Sequence, residues 1–360
     1  MNNIFDLNIL ERYVSEGLLR KAEDENLVQY NYSEYCNNSG CWDDITLFNR
    51  GNIYEKSSGK LIAKSLPKFM NFSQLTQEDQ DYFLDHKKLI TTEKKDGCLG
   101  ILYMYNNEIR CNSRGAFDNY VTDKIKQLLP KYVMLDVILK FNTLIVEVIS
   151  PETKIICDYG NKQELYLLTA YNNLDWEEYS DSQLDELSNI IRMPRPKKCY
   201  LGWQGLFKWQ QEQDYSEEGF VVCIQDKQYG SYRRVKIKSN DYIRVSRIMA
   251  GLSKYKIWKM IKNDLEQNTQ MTKQYFSNLP DEVITEAEQY KKEIQEEYNK
   301  IQELVNQEFE KTKDIPIEKL YKYFQENPCE YKGCIYNLRN GKDISKIIIK
   351  LIEPKNVEGE

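Results

Sequence analysis

The feature that most constrains the fold of this chain is a change of pattern near residue 245. Before that point, short apolar runs that alternate as strands do recur between turn-rich segments and a few helical stretches. Beyond it strand patterns stop, and residues 283–311 place apolar side chains at three- or four-residue spacing, as in one long amphipathic helix. The pattern predicts an antiparallel α+β domain at residues 1–244, followed by an all-helical domain at residues 245–360.

The same periodicities place the individual elements. One strand is predicted at residues 27–32, and another begins directly after Gly51. Further strands are predicted at 61–64, 99–105, 108–113, 144–149, 155–159, 165–170, 219–225 and 232–238. Helices are predicted within 5–19 and at 120–129, 181–191, 254–262, 283–311, 317–325 and 344–352. A further strand leads into Lys94, and the Asp96-Gly97 pair behind it predicts a tight hairpin turn with positive φ at the glycine.

Composition limits the chemistry and the partners. With 50 basic and 56 acidic side chains the formal charge is −6, so a nucleic-acid partner would need a local basic patch. Nine cysteines form no Cys-x-x-Cys pair, and His86 is the one histidine. We therefore expect reduced thiols, no Cys/His zinc cluster, and catalysis by lysines and carboxylates. Without a leader segment or a run of about 18 apolar residues, the expected protein is soluble, intracellular and cytoplasmic, with no membrane contact.

Lys94 stands two residues before Asp96-Gly97, in the pattern Lys-x-Asp-Gly. The pattern resembles the nucleotide-accepting motif of ATP-dependent ligases and mRNA capping enzymes, in which the lysine amine attacks the α-phosphorus of a nucleotide and holds it covalently. So short a pattern also arises by chance. The alternative is an exposed hairpin that carries a solvated lysine.

Three further segments carry charged side chains in strand patterns. Glu147 lies between large apolar residues, where its carboxylate must face a ribose, a hydrated metal ion or solvent. Lys236 and Lys238 flank Ile237, and strand alternation places both ammonium groups on one face, as a phosphate clamp or as a solvated face. Glu218 precedes a glycine and a strand, where an ordinary surface acid is the alternative.

The order of these segments points to a family. Four of them resemble nucleotidyltransferase motifs I, III, IV and V of ligases: Lys94-Lys95-Asp96-Gly97, Val146-Glu147-Val148, Glu218-Gly219-Phe220-Val221 and Lys236-Ile237-Lys238. Residues 30–35, 50–54 and 67–71 look like the amino-terminal elements of the bacteriophage RNA ligase 1 family, which repairs broken tRNA, and residues 236–242 look like its version of motif V. The resemblance covers about residues 28–243.

The resemblance implies an antiparallel, ATP-grasp-like nucleotidyltransferase fold and a role for each matching residue. Lys94 would take AMP from ATP, Glu147 would bind the ribose and orient a hydrated metal, and Glu218 would help to position the metal and the lysine. Lys236 and Lys238 would bind the α-phosphate. The other implied nucleotide contacts are Tyr30, Arg50 and Lys68 at the triphosphate, Arg114 at another phosphate, Tyr242 at the end of the pocket and Glu93 beside the nucleophile.

The sequence departs from the family pattern in places. Tyr54 stands where phenylalanine is commoner, Arg114 replaces the usual lysine, and residues 167–172 lack the arginine often found in motif IIIa. We expect the core chemistry to be intact, because cations crowded around Lys94 favour the neutral amine and stabilise charge on the phosphoryl group. Mg²⁺ is the expected metal, with Mn²⁺ as an alternative, since phosphate and carboxylate oxygens prefer a hard cation.

These observations predict an ATP-dependent RNA ligase that joins RNA 5′-phosphate and 3′-hydroxyl ends through lysyl-AMP and an RNA-adenylylate, in tRNA repair. The expected partners are RNA, a nicked tRNA in particular, and a separate end-healing kinase or phosphatase. One alternative is a catalytically silent RNA-binding protein on the same fold. Another is a DNA ligase or capping enzyme, although such chains normally continue into a small β-barrel where this sequence turns helical.

The helical domain is expected to select the RNA. In residues 254–262, four lysines and two aromatic side chains share one predicted helix. The lysine face would grip RNA phosphates without reading sequence, or it would simply be solvated.

Overall fold

The computed structural model describes residues 3–277, 279 and 281–354. The chain divides into two compact units, Met1–Val245 and Ser246–Glu360. The described strands lie in the first unit, in three four-stranded sheets with antiparallel neighbours. In the described part of the second unit, the regular elements are helices. The predicted antiparallel α+β class with a helical carboxy-terminal region is therefore confirmed.

Three sheets organise the first unit. The amino-terminal sheet has the order β1 (Leu19–Glu23), β2 (Leu27–Tyr32), β3 (Asn52–Glu55) and β4 (Leu61–Ala63). The Lys94 sheet has the order β10 (Lys198–Cys199), β5 (Leu89–Lys94), β11 (Gly219–Gln228) and β12 (Ser231–Lys238). The Glu147 sheet has the order β7 (Glu108–Ser113), β6 (Cys98–Tyr105), β8 (Asn142–Ile149) and β9 (Glu164–Asn172).

Helices surround these sheets and form the second unit. Those that begin in the first unit are α1 (Leu7–Ser15), α2 (Glu34–Ser39), α3 (Asp44–Phe48), α4 (Gln77–Asp85), α5 (Tyr120–Leu128), α6 (Leu135–Ile138), α7 (Asp181–Ile191), α8 (Trp203–Glu212) and α9 (Asn240–Ala250). The second unit continues with α10 (Lys254–Gln267), α11 (Met271–Ser277), α12 (Asp281–Thr312), α13 (Ile317–Glu326), α14 (Lys332–Arg339) and α15 (Ser345–Leu351). Side-chain caps fix several starts, such as Asn119 before α5 and Ser180 before α7.

The Glu147 sheet is covered on both faces, which explains why β8 is buried along its whole length. One face packs on α5 and α7 through a cluster that includes Ile125, Val146 and Leu184. The other face packs against the amino-terminal sheet, where Ile145 shares a cluster with Ile53. A charged residue in β8 is therefore exceptional, and Glu147 is such a residue.

Two sequence predictions are wrong: the hairpin turn at Asp96-Gly97 and the strand at residues 155–159. The Asp96-Gly97 pair does not close a hairpin, because β5 belongs to the Lys94 sheet and β6 to the Glu147 sheet. Gly97 does not have a positive φ, and glycine is needed for another reason: a Cβ there would lie 2.4 Å from the carbonyl oxygen of Val148. Residues 155–159 form no strand. Instead, the backbone N–H groups of Ile156 and Cys157 donate to the Asp96 carboxylate.

Most other predicted elements are confirmed. The helix at 181–191 has the predicted bounds, and the long helix at 283–311 is slightly longer, as α12. The sequence prediction missed the short helices α2, α3 and α6, the helices α4, α8, α9, α11 and α14, and the strands β1 and β10. Helices α2, α3 and α6 are each shorter than two turns, so their apolar residues are too few to show a helical period.

Two expectations drawn from composition can be compared with the structure. All nine cysteines are free. Within the residues that the structure describes, no helix has the length and apolar character needed to cross a membrane.

A buried lysine joins the amino-terminal sheet to two distant turns. Lys64 is 1% exposed, and its Nζ donates to the carbonyl oxygens of Trp176 and Tyr229 at 2.8 and 2.6 Å. The ammonium also lies 4.7 Å from the centre of the Tyr171 ring. Burial lowers the pKa of Lys64 from its ordinary value of 10.5 to about 8, although neighbouring Glu178 and Glu177 raise it.

Because of Lys64, the free energy of unfolding should change with pH in the alkaline range. Between pH 8 and 10.5 the unfolded chain keeps the Lys64 proton and the folded chain loses it. The free energy of unfolding should therefore rise with pH across this window, by up to about 3 kcal/mol from this group. Urea unfolding of the wild type and of Lys64→Met at steps across the window measures the difference. Parallel curves for the two proteins would contradict this account of Lys64.

Candidate active site

Three of the predicted site segments meet at one end of the strands of the Lys94 sheet. Because its strands are antiparallel, β5 and β12 end where β11 begins. Gly219 pairs with Lys94 on one side and with Lys238 on the other, so the two lysines flank the start of β11 at the same level. Gly219 has a φ of +150°, and a Cβ there would lie 2.1 Å from the carbonyl oxygen of Ile237. A side chain at this position would force the strands apart.

Glu218 holds the two lysines together. Lys94 Nζ donates to Glu218 Oε2 at 2.6 Å, and Lys238 Nζ lies 2.6 Å from Glu218 Oε1. The Glu218 side chain is 2% exposed and that of Lys238 is 6% exposed, whereas Lys94 is 21% exposed. Burial excludes the alternative of a surface acid beside a turn. Of the three side chains, that of Lys94 is the most open.

Glu147 faces this group from the neighbouring sheet. Its Oε1 accepts a hydrogen bond from the backbone N–H of Gly97 at 3.2 Å. Burial raises the pKa of Glu147 to about 7; Lys94 and Arg50 lower it, while Glu218 raises it. A buried carboxyl within electrostatic reach of a lysine and a second carboxylate is typical of functional sites. The alternative of a carboxylate on a solvated face is excluded.

Lys236 and Lys238 lie two residues apart on β12, as the predicted alternation requires. Both are buried, so the strand face that they share is not a solvated one. Lys236 Nζ lies 5.6 Å from the centre of the Phe69 ring, and its backbone N–H donates to the carbonyl oxygen of Met70 at 3.0 Å. The segment around Phe69 thereby reaches the Lys94 sheet.

The aspartate of the Lys-x-Asp-Gly pattern is an anchor that the sequence prediction missed. Asp96 is buried, and its Oδ2 accepts the N–H groups of Ile156 and Cys157 at 2.8 and 2.7 Å. Its Oδ1 accepts the hydroxyl of Tyr242 at 2.8 Å, and its own N–H donates to the Tyr159 hydroxyl at 2.9 Å. These bonds fix the loop that follows Lys94 to residues 156–159 and to the start of α9.

Removing this anchor should destabilise the protein. Asp96→Ala leaves two backbone N–H groups and one hydroxyl without their acceptor in a buried place, which should lower the free energy of unfolding by about 3 kcal/mol. Tyr242→Phe removes a single hydrogen bond and should cost about 1 kcal/mol. Urea unfolding of both variants tests the ranking. Equal losses in the two variants would show that the bonds to residues 156 and 157 contribute little.

Two of the predicted phosphate contacts, Lys68 and Arg114, lie beside Tyr32, which the sequence prediction did not select. Lys68 Nζ lies 5.2 Å from the Tyr32 ring centre and 5.3 Å from that of Trp42. Arg114 Nη1 donates to the Tyr32 hydroxyl at 3.1 Å. Arg50 Nη1 donates to the carbonyl oxygen of Leu66 at 3.3 Å. Strand alternation could have suggested Tyr32, because it lies two residues after Tyr30 on β2.

Three predicted nucleotide contacts have other partners in the structure. Tyr30 is 1% exposed in the core of the amino-terminal sheet, and its hydroxyl donates to Glu11 Oε1 at 2.5 Å, so its placement does not support a contact with ATP. Glu93 binds the ammonium of Lys95 rather than facing Lys94. Tyr242 is buried with its hydroxyl on Asp96, so it supports the loop, and its ring centre lies 5.0 Å from Lys238 Nζ, so it also adjoins the lysines of the site.

The carboxylates present fit a metal ion that arrives with a nucleotide. Among the described residues, no group of three or more His, Cys, Asp or Glu side chains is arranged to hold an ion alone. Mg²⁺ is commonly bound by one or two carboxylates together with substrate phosphates and water. Glu147 could supply such an oxygen, whereas both oxygens of Glu218 already bind lysines.

A family model described as RNA ligase matches residues 49–242, which is more than half of the 360 residues. The matched range contains every nucleotide-site residue predicted from the sequence except Tyr30. No curated protein matches the chain.

Several solved structures resemble the chain at low identity. An RNA ligase from Naegleria gruberi with PPi is 16% identical, with a TM-score of 0.41 over 50% of this chain and 57% of that chain. A mutant of that ligase with AMP and Mn is 15% identical, with a TM-score of 0.42 over 50% and 57%. A putative ATP-dependent DNA ligase from Aquifex aeolicus is 16% identical, with a TM-score of 0.48 over 94% and 100%. The chain thus spans little more than half of the length of the Naegleria structures.

Proposed function

The chain belongs to the phage RNA ligase family, and from this premise we propose that it is an ATP-dependent RNA ligase that seals RNA 5′-phosphate and 3′-hydroxyl ends, with nicked tRNA as substrate. The observation that carries the proposal is the buried contact of Glu218 with both Lys94 and Lys238. An accessible amine beside a carboxylate and further ammonium groups suits attack on a phosphorus atom.

In the first step, Lys94 Nζ attacks the α-phosphorus of ATP. A nitrogen–phosphorus bond forms, the bond to the pyrophosphate oxygen breaks, and pyrophosphate leaves. The amine must lose a proton, and Glu218 Oε2, at 2.6 Å, is the acceptor within reach. Lys236 and Lys238 would bind the oxygens of the α-phosphate, where negative charge increases during the reaction.

Two further steps complete the sealing. An RNA 5′-phosphate oxygen attacks the phosphorus of lysyl-AMP, which forms an RNA-adenylylate and releases the Lys94 amine. The RNA 3′-hydroxyl then attacks the 5′-phosphate, the phosphodiester bond forms, and AMP leaves. A separate end-healing kinase or phosphatase would supply the required termini when breakage leaves others.

A divalent metal, Mg²⁺ or Mn²⁺, would neutralise phosphate charge when bound with the nucleotide. Glu147 is the carboxylate that would hold it, directly or through water, and the same carboxylate could accept a ribose hydroxyl. Glu147, with a pKa raised to about 7 by burial, would be favoured in its ionised form by an added cation.

The direct test is incubation of the purified protein with ATP labelled at the α-phosphate and a divalent metal. Label should remain on the denatured protein, and peptide mapping should place it on Lys94. Label on Lys95, or none on the folded protein, would contradict the proposal.

We propose that the second unit selects the RNA; of the four lysines in the face predicted for residues 254–262, three have contacts within this unit. Lys254 binds Glu293 and Glu297 at 3.0 Å each, and Lys256 donates to the carbonyl oxygen of Ala250 at 3.1 Å. Lys262 lies 5.0 Å from the centre of the Trp258 ring. Lys259, the fourth lysine of this face, is exposed, so contact of the face with RNA phosphates stays a proposal.

Truncation tests the division of labour between the units. A chain that ends after Ala250 keeps α9 whole and all the proposed catalytic residues. We expect it to form lysyl-AMP at a rate within about threefold of the full chain, and to seal nicked tRNA at least about tenfold less well relative to linear RNA. A truncated, folded protein with unchanged relative efficiency would show that the second unit is not the specificity element.

A further inference from the structure

The amino-terminal sheet contains a buried side-chain amide that makes no hydrogen bond within the described part of the chain. Gln29 and Asn31 lie two residues apart on β2, so their side chains share one face. The Gln29 amide is fully used: Nε2 donates to the carbonyl oxygens of Gly51 and Ser113 at 3.1 and 2.9 Å, and Oε1 accepts from Asn112 Nδ2. Asn31 is 2% exposed, and neither its Nδ2 nor its Oδ1 has a hydrogen-bond partner among the residues that the structure describes. Buried side-chain amides normally form hydrogen bonds, so we expect a further group to bind the Asn31 amide.

An arginine and a glycine adjoin this amide. Arg20 pairs with Asn31 across β1 and β2. A Cβ on Gly115 would lie 2.8 Å from Arg20 Nη2 and 3.7 Å from Asn31 Nδ2, so both donors converge on the space that the missing side chain leaves. Arg20 is exposed, and its guanidinium can therefore move aside to admit a group to the Asn31 amide.

The donors at this point suit an anionic oxygen ligand. Arg20 offers a guanidinium, and Asn31 offers an amide N–H next to it. Phosphate accepts several such bonds at once, and arginine binds it with two parallel N–H groups. We propose that Arg20, Asn31 and the Gly115 segment form a phosphate subsite, separate from the α-phosphate contacts at Lys236 and Lys238.

Two phosphates are available if the proposed function holds: the terminal phosphates of ATP and the backbone phosphates of the RNA. Both present the same chemistry to the subsite. Inorganic tripolyphosphate represents the first source, and a 5′-phosphorylated RNA oligonucleotide represents the second. Binding of either can be measured without catalysis, so the outcome does not depend on formation of lysyl-AMP.

The experiment compares the full-length wild type with Arg20→Ala and Asn31→Leu in equilibrium binding of the two compounds. Asn31→Leu keeps the volume and removes the unpaired amide, so the folded state should be at least as stable as the wild type. Arg12→Ala is the matched control, because Arg12 is an exposed arginine on α1 whose Nε lies 3.6 Å from Oε1 of the exposed Glu16. Thermal melting confirms that each variant is folded.

Both subsite variants should weaken binding of one of the two compounds by about tenfold, while the control should change neither. A loss for tripolyphosphate assigns the subsite to the terminal phosphates of ATP. Weaker RNA binding assigns the subsite to the RNA backbone; in Arg20→Ala, the slope of the logarithm of the binding constant against the logarithm of the salt concentration should then be smaller by about one. Unchanged binding of both compounds by both folded variants would overturn the proposal and leave an ordered water as the partner of Asn31.

Discussion

Replacing Lys94 by alanine should abolish covalent labelling by ATP and lower RNA sealing by roughly three orders of magnitude or more. The variant removes the one amine that lies beside Glu218 and remains 21% exposed. Its folding should change little, because Lys94 is the most open member of the Lys94, Glu218 and Lys238 group. Intact mass measurement after incubation with ATP and Mg²⁺ gives the result directly.

Lys95→Met is the matched control for this experiment. Lys95 is buried, binds Glu93, and lies 5.1 and 4.9 Å from the ring centres of Tyr159 and Tyr166. The variant should keep the AMP adduct, although its melting temperature should fall, because Glu93 loses its partner. An adduct that survives in Lys94→Ala and disappears in Lys95→Met would reverse the assignment of the nucleophile.

Glu218→Ala should damage both stability and activity. It leaves Lys238 buried without its carboxylate, so we expect a loss of about 3 kcal/mol in the free energy of unfolding, and it also removes the proposed proton acceptor beside Lys94. Lysyl-AMP formation should fall by about 10²–10³-fold, more than the unfolded fraction accounts for. Urea unfolding and the rate of adduct formation in the folded range separate the two effects.

The adjacent acid supplies the control. Glu217 is exposed, and Glu217→Ala should change neither quantity by more than about 0.5 kcal/mol. Glu218→Gln keeps the shape of the side chain and should lose activity as well, since an amide can neither take the proton nor balance two ammonium groups. A Glu218→Gln protein as active as the wild type would limit Glu218 to a structural role.

Sequence reasoning succeeded where a local rule fixes the answer. Alternation placed Lys236 and Lys238 on one face of β12, and the apolar surroundings of Glu147 required a polar partner for its carboxylate. The helical second unit followed from a spacing that extends over the whole of α12. Each of these predictions depends on residues that are close together in the chain.

The failures concern pairings between distant segments. Nothing beside Asp96-Gly97 shows that β5 and β6 join different sheets, since that depends on β11 and β8 as their partners. The role of Asp96 depends on Tyr242, which lies 146 residues away. Tyr30 and Tyr32 look alike in the sequence, and only the position of Arg114, 82 residues after Tyr32, distinguishes them.

The central claim, that this site seals RNA at the expense of ATP, is tested most directly by one ligation assay. A nicked tRNA anticodon loop, a linear single-stranded RNA and a nicked DNA duplex, each with a labelled 5′-phosphate, are incubated with the full chain, ATP and Mg²⁺. We predict that label in the RNA substrates becomes resistant to phosphatase, with one AMP released for each bond formed and with nicked tRNA sealed fastest. Sealing of the DNA nick alone, or no sealing of RNA by a protein that forms lysyl-AMP, would contradict the account.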